Sequence, residues 1–363
     1  MNIIIRTDSS VNIGTGHVMR CLTLADELKK NEANVEFICR ELEGNIIDII
    51  EGKGFVVNKL PKPEHDVNEL TGYAKWLGTK WEIDAEETKK ILKSKSNIDL
   101  LIIDHYAIDR KWESRLRSYT KRIMVIDDLA NREHDTDILL DQNYVENMET
   151  RYDRLVPPIC KKLLGPQYVL LRPEFYQARA NLRERDGTVR RILIFFGGSD
   201  PTNETAKAIR AVAKLNCTDL EVDVVVGASN PHKEEIKKLC FNYSYNYLHQ
   251  VNNMAELMAK ADLAIGAGGA TTWERCFLGL PSICIIVADN QEEIIKALDH
   301  KEAIINMGRK EQSDSNKLYN ALQELINDKE KLIRMSFNSF DIMRGNSPNL
   351  INKIINTQKD KQL

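Results

Sequence analysis

Twice along this chain, short apolar runs of strand length alternate with segments of helical spacing, and few folds accept that rhythm. In the first half the runs are Ile3-Ile4-Ile5, Val35 to Cys39, Phe55 to Val57, Leu100 to Asp104 and Arg122 to Asp127, followed by a less regular segment at Ile138 to Tyr144. The pattern resumes at Arg191 to Phe196, Glu221 to Val226, Tyr243 to Leu248, Asp262 to Ile265 and Ser282 to Val287. Such alternation predicts an α/β chain with two Rossmann-like parallel-sheet domains facing across a cleft. A length of 363 residues fits two cores. The expected division is a first domain over 1–172, a linker over 173–188, a second domain over 189–345 and a C-terminal helix or tail over 346–363. The linker is read from the polar, charged stretch that Arg172-Pro173-Glu174 opens and Gly187 closes. Helices are expected over Ser313 to Asn327, Lys329 to Phe337 and Asn349 to Gln358. The halves show no sequence repetition, which excludes a solenoid.

Composition removes several function classes. A net charge of -3 provides no basic footprint, so no nucleic-acid partner is expected. No apolar run reaches membrane-spanning length and no signal-peptide layout precedes the first strand, so the expectation is a cytoplasmic protein without a membrane partner. The seven cysteines are scattered and never spaced Cys-x-x-Cys, which argues against zinc and structural disulfides. Cys21, Cys39, Cys276 and Cys284 lie in apolar segments and read as small buried hydrophobes. Asp127-Asp128 has no third ligand at metal-binding spacing, so no metal is assigned there and hydrogen bonding or helix capping is expected.

Ligands of open α/β sheets lie beyond the carboxyl ends of the strands, which singles out four loops. The first runs from Arg6 to His17 and ends in Gly14-Thr15-Gly16-His17, just where Val18, Leu22, Ala25 and Leu28 begin a helical apolar face. A histidine at a helix start lies where unpaired amides attract an anion, and the glycines allow close approach. A dinucleotide fingerprint needs a third glycine where this chain has Met19, and no P-loop run occurs anywhere. No cofactor is therefore assigned. The second loop, Asp104-His105-Tyr106, sets three polar side chains after an apolar strand, more than a turn requires. The third, Gly197-Gly198-Ser199-Asp200, is explained in large part by a turn with Asp200 or Thr202 capping the next helix. The fourth, Gly266 to Thr272, has backbone amides and two hydroxyls suited to a diphosphate, with Glu274 able to accept from a ribose diol. His249-Gln250-Val251, just after the strand that ends near Leu248, offers backbone to frame a base. His65, His134, His232, His249 and His300 read as solvated or strand-end residues.

These residues resemble a known family. Arg6-x-Asp8, Gly14-Thr15-Gly16-His17-Val-Met-Arg20, Phe37-Ile-Cys-Arg40, Trp81-x-x-Asp84-Ala85, Asp104-His105-Tyr106, Asp127-Asp128-Leu129-Ala130, Leu164-Gly165-Pro166-x-Tyr168 and Gly268-Gly269-Ala270-Thr271-Thr272-Trp273-Glu274 are similar to the UDP-2,4-diacetamido-2,4,6-trideoxy-β-L-altropyranose hydrolases of pseudaminic acid biosynthesis. Matches run from about residue 3 to Gln291, and nothing specific is recognised after Gly308. The resemblance implies a glycosyltransferase-B-like fold related to MurG, with UDP held mainly by the second domain. It implies metal-independent hydrolysis of the anomeric C–O bond with inversion, releasing UDP and the free sugar, which links the chain to flagellin glycosylation. His17 then matches the catalytic histidine, as base or water-orienting group, and Tyr106 helps place sugar or water. Gly268, Gly269, Ala270 and Thr271 would hold the pyrophosphate and Glu274 the ribose. Arg6, Asp8, Gly14, Gly16, Arg20, Asp104, His105, Gly198, Ser199, Val251, Asn290 and Gln291 complete the expected substrate-binding set. The expected partner is a small-molecule UDP-sugar, and a monomer is the simplest oligomeric expectation. A glycosyltransferase with the same fold and a UDP-sugar donor is the alternative, since fold alone does not separate the two.

Overall fold

The computed structural model describes residues 1–63 and 69–348. His65 and the helix expected over Asn349 to Gln358 lie outside the described residues. Two compact units emerge. One comprises Met1–Asn143, Asn147–Leu170 and, of the described residues, Ser347 and Pro348; the other comprises Tyr144–Glu146 and Leu171–Asn346. Among the described residues no helix is long and apolar enough to cross a membrane.

The first unit is a sheet of seven parallel strands: β1 (Asn2–Thr7), β2 (Asn34–Arg40), β3 (Val56–Leu60), β4 (Leu100–Asp104), β5 (Ile123–Ile126), β6 (Ile138–Asp141) and β7 (Lys161–Leu164). They lie side by side in the order β3-β2-β1-β4-β5-β6-β7. Because both faces are covered, the strands are apolar at nearly every position. Ile3, Ile5, Phe37, Leu100 and Ile102 pack beneath α1 (Gly16–Lys30) with Val18, Leu22, Ala25 and Leu28, near α2 (Ile47–Gly52). Ile4, Ile38, Leu101 and Ile103 point the other way, into a cluster with Ala85 of α3 (Trp81–Lys93) and Trp112 of α4 (Arg110–Leu116). Helix α1 ends with Lys29 and Lys30 against its negative pole. Its start is different: Thr15 makes no side-chain capping bond and the first turn holds no acid.

The second unit opens with α5 (Pro173–Ala180), within the stretch expected to be a linker. Phe175 is fully buried there, and Arg185 donates to the carbonyls of Met258, Ala261 and Leu278. A charged stretch reads as solvated linker only while the carbonyls that receive its arginines are unseen. Six parallel strands follow: β8 (Arg191–Phe195), β9 (Glu221–Val226), β10 (Asn246–His249), β11 (Leu263–Ala267), β12 (Ser282–Ile286) and β13 (Ile304–Arg309), in the order β10-β9-β8-β11-β12-β13. One face is covered by α6 (Glu204–Ala213), α7 (Lys233–Tyr243), α11 (Ser315–Ile326) and α12 (Lys329–Ile342), through Ile209, Val212, Ile236, Leu318, Leu322 and Met335. The remaining helices are α8 (Met254–Lys260), α9 (Thr271–Phe277) and α10 (Glu292–His300).

Buried ions tie the first unit together. Asp84 of α3 receives Arg6 Nη2 of β1 and Arg40 Nη2 of β2, each at 2.8 Å, while its other oxygen receives Trp112 Nε1 at 2.9 Å. Asp8 receives Arg6 Nη1 and the Arg40 amide at 2.7 Å each. Burial alone would neutralise these acids; the arginines outweigh it and hold Asp84 and Asp8 below the usual carboxylate range. Asp84→Ala would leave, among the described residues, Arg6 with Asp8 alone as counter-ion, Arg40 with the partly exposed Glu87 alone, and the Trp112 indole N–H without its acceptor. It is expected to cost about 3–5 kcal/mol of stability, read as a lowered urea midpoint at unchanged slope.

Candidate functional site

In each unit the strand order reverses direction once, between β1 and β4 and between β8 and β11, and a crevice opens at the carboxyl ends of the strands on either side of such a switch. The candidate residues of the first unit come from that point. His17 sits on the first turn of α1, and Asp104 is the last residue of β4. His17 Nδ1 lies 2.6 Å from Asp104 Oδ1. Arg20, one turn along α1, donates through Nε to Asp104 Oδ2 and through Nη2 to Asp104 Oδ1, both at 2.6 Å, and its Nη1 reaches Asp128 at 3.2 Å. Burial pushes the Asp104 pKa up, but Arg20 and then His17 prevail and hold the carboxyl well below its usual range.

That geometry selects a tautomer. A guanidinium can only donate, and Arg20 Nη2 already has Asp104 Oδ1 at 2.6 Å against 3.2 Å to His17 Nδ1. The short contact to a carboxylate therefore assigns a proton to His17 Nδ1, which in the neutral ring leaves the lone pair on Nε2. Gly14 and Gly16 are exposed beside it, Gly14 at a φ of +77° that favours glycine.

Several expected ligands lie deeper than the sequence suggested. Arg6, Asp8 and Asp104 are fully buried, so they act on neighbours and do not present themselves to solvent. His105 is also buried; its Nδ1 accepts from the Ala107 amide at 3.1 Å and its Nε2 lies 3.3 Å from Asp8 Oδ2. Burial dominates and lowers its pKa, favouring the neutral ring. Arg20 is committed to the two aspartates. Tyr106 is nearly buried, and burial followed by the Asp128 charge drives its pKa up, so it stays a phenol. Its ring meets His17 edge-on at 4.6 Å. His134, read as solvated, is buried with Nδ1 2.6 Å from Glu113 Oε1, a partner 21 positions upstream that local polarity does not reveal.

In the second unit, Gly266 to Thr272 joins β11 to α9. Thr272 is fully buried, and its hydroxyl lies 3.4 Å from the Ala267 carbonyl and 3.0 Å from Arg275 Nη2, so of the two hydroxyls expected to cradle phosphate only Thr271 is half-exposed. Gly268 has a packing reason: a Cβ would stand 2.5 Å from Ile295 Cγ1 of α10. Gly269 has open space, with Gln291 Nε2 the nearest atom at 3.7 Å. Gln291 Oε1 accepts from the Val287 amide at 3.1 Å, and Asn290 and Val251 are half-buried on neighbouring loops. Glu274 Oε1 receives Arg172 Nη2 at 3.1 Å, whereas Oε2 is buried with no hydrogen-bond partner among the described residues, and burial raises the acid's pKa. An acceptor left open in this way suits a diol donor. Gly198 and Ser199 are exposed, while Asp200 accepts from the amides of Glu204 and Thr205 at 2.9 Å each in the first turn of α6, whose N-cap Asn203 accepts from the Ala206 amide at 3.3 Å. Among the described residues no group of three or more His, Cys, Asp or Glu is placed to hold a metal ion.

With these features in place, the comparisons define a class. Residues 192–350 match the glycosyltransferase family 28 C-terminal domain. The crystal structure of MurG from Acinetobacter baumannii matches at a TM-score of 0.66 with 13% identity, covering 98% of this chain and 99% of that one. Arabidopsis thaliana UGT89C1 complexed with quercetin matches at 0.69 with 12% identity, covering 98% of each. The protein is thus a two-domain α/β protein with the glycosyltransferase-B fold. By sequence it is 28% identical over 294 residues to the UDP-2,4-diacetamido-2,4,6-trideoxy-β-L-altropyranose hydrolase of Campylobacter jejuni, across 80% of this chain and 94% of that one. It is also 30% identical over 304 residues to the uncharacterized protein MJ1062 of Methanocaldococcus jannaschii, across 81% of this chain but only 57% of that longer relative.

A carboxylate cluster flanks the site. The Tyr152 hydroxyl lies 3.0 Å from Asp127 Oδ2 and 3.1 Å from Asp141 Oδ2, and a phenol can donate to only one of them. Burial, then the charge of Asp128, pushes Asp141 up to about 7, against the opposing pull of Arg151. The folded protein therefore holds a proton on Asp141 that the unfolded chain releases near its ordinary value, so this group makes stability fall as pH rises between those two values. Asp141→Asn is expected to remove that slope, seen as a wild-type minus variant stability that declines from about pH 5 to about pH 7 in urea titrations.

Proposed function

We propose that the protein is a nucleotide-sugar hydrolase that cleaves the anomeric C–O bond of a UDP-linked 2,4-diacetamido-2,4,6-trideoxy sugar with inversion, releasing UDP and the free sugar. The observation that carries this reading is the 2.6 Å pair of His17 Nδ1 and Asp104 at the uncapped start of α1. The similarity to the Campylobacter hydrolase supports the choice of substrate.

In this mechanism a water hydrogen-bonds to His17 Nε2 and attacks the anomeric carbon. Its oxygen forms the new C–O bond, its proton passes to Nε2, and the old bond breaks with its electron pair on the departing UDP. Asp104 keeps the imidazole in the accepting tautomer and stabilises the imidazolium once formed. Arg20 keeps Asp104 ionised. Arg6 and Asp8, buried below, serve as positioning residues through His105. UDP is a stable anion, so its departure needs charge stabilisation more than a strong acid, and the amides of Gly268 to Thr271 provide it with Glu274 on the ribose. No metal enters any step.

His17→Ala is expected to fold and bind UDP with wild-type affinity while turnover falls about 10²–10⁴-fold; near-wild-type UDP release would remove His17 from the mechanism. Chelator is expected to leave the rate unchanged, and a loss restored by added divalent metal would overturn the metal-free scheme.

A glycosyltransferase is the second reading, favoured by the match to the family 28 C-terminal domain. His17 would then deprotonate an acceptor hydroxyl in place of water. Incubation with the UDP-sugar in ¹⁸O-water, followed by NMR and mass spectrometry of the products, separates the two. Hydrolysis at carbon places the label in the free sugar, label in UDP indicates P–O cleavage, and absence of product without an added acceptor points to transfer.

A further inference from the structure

The His17 imidazole has aromatic neighbours for which the acid–base scheme has no use. Trp76 lies 5.9 Å from it, edge-on, and stacks on Tyr106 with centroids 5.2 Å apart and planes 21° from parallel. Tyr73 closes the group at 4.8 Å from Trp76 and 5.0 Å from Tyr106. Tyr73 and Trp76 come from a single 3-10 segment, Gly72–Leu77. It is held at its end by buried Leu77 and by Gly78, whose φ of +68° and close approach to Pro63 and Leu42 leave no room for a Cβ. Although Tyr106 covers one face of its indole, Trp76 is only half-buried, as is Tyr73. Two large rings left partly in water beside a candidate base constitute a surface built for contact.

We infer that Trp76, with Tyr73 beside it, is a specificity-determining wall that packs against the C–H face and methyl groups of the pyranose, selecting N-acetylated 6-deoxy sugars over 6-hydroxyl ones. This rests on the reading of His17 as the group that delivers water to the anomeric carbon. A pyranose bound one water away from His17 comes within reach of the rings that surround it. The face of an indole is negative and the ring C–H hydrogens of a sugar are weakly positive, so they attract. Replacing the C6 hydroxyl by hydrogen and two ring hydroxyls by acetamido groups adds methyls that gain from leaving water. A C6 hydroxyl pressed on the same wall would lose its water partners without replacement.

The test is calorimetric titration, in the turnover-deficient His17→Ala background, of the protein with Trp76 intact (the wild-type wall), Trp76→Ala and Trp76→Phe with UDP, UDP-N-acetylglucosamine and the UDP-linked 2,4-diacetamido-2,4,6-trideoxy sugar, with UDP release followed in parallel in proteins that keep His17. Trp76→Ala is expected to weaken binding of the trideoxy UDP-sugar about tenfold, leave UDP affinity unchanged and narrow the gap between the two UDP-sugars. Trp76→Phe is expected to retain most of the wild-type preference, which guards against a folding defect in the alanine variant. Equal affinity of Trp76→Ala and wild type for the trideoxy UDP-sugar overturns the wall, as does a parallel loss for UDP itself or a wild type that binds neither UDP-sugar better than UDP. A wild type that shows the Trp76-dependent preference yet releases no UDP overturns hydrolysis and leaves the wall standing. Wild-type UDP release with unaltered kcat/KM in Trp76→Ala does the reverse.

Discussion

The carboxylate of Asp104 is the point on which the rest of the first unit's candidate site depends. Left alone at full burial it would take up a proton. Arg20 prevents this with two short bonds, and Arg20 in turn tolerates its own burial because Asp104 and Asp128 surround it. His17 then inherits its orientation from a group that is already fixed. Since Asp104 ends β4 and both His17 and Arg20 ride on the first turns of α1, the imidazole is aimed by the docking of a helix onto a sheet, not by a loop. The sheet order supplies the reason for that place: β1 and β4 are neighbours at the reversal, so the loop after β1 and the end of β4 converge.

The second unit solves its problem with backbone. Its loops after β8 and β11 contribute few charged side chains, and small residues let segments lie against one another. A Cβ on Gly227 would stand 2.3 Å from the Gly198 carbonyl oxygen, and one on Gly266 would stand 2.4 Å from that of Phe195. Arg275, fully interior, donates to the Ala267 carbonyl at 2.8 Å and so braces the turn from below. The two units share a strand order, but the first centres on an ionised side chain and the second on closely packed glycine turns.

How much of this is legible in the sequence depends on the range over which the signal acts. The parallel strands with continuous apolar runs, and the start of α1 at Gly16, are visible because local spacing decides them. Strand β13 is not: Ile304-Ile305-Asn306-Met307-Gly308-Arg309 is an edge strand with most residues half-buried, so it shows neither a continuous apolar run nor clean alternation. The loops are found by their position after strands, yet the roles within them are set by partners far away. Arg20 is expected from the sequence only as one of the substrate-binding set, and its bond to Asp104, 84 residues on, is not visible there. Thr272 looks like a second phosphate hydroxyl until its own turn closes on it. Trp76 gave no signal, because the short run Tyr73-Ala74-Lys75-Trp76-Leu77 has no strand or helix period and the partners that define it, Tyr106 and His17, are distant in sequence.

In the buried group formed by Arg6, Asp8, Arg40 and Asp84 two charges of each sign cancel, and Glu87 adds a further negative charge at Arg40 from a partly exposed position, where water screens it. Such a set has almost no field at a distance, although each member is strongly held. His105, touching Asp8, keeps the sum at zero only while its ring is neutral, which is the form burial favours. The potential felt by a substrate near His17 is therefore governed by Asp104, Arg20 and Asp128, and the deeper ions provide rigidity without adding their own electrical bias. Such a foundation leaves the charge around His17 to be set by Asp104, Arg20 and Asp128 alone, without any change to the frame beneath them.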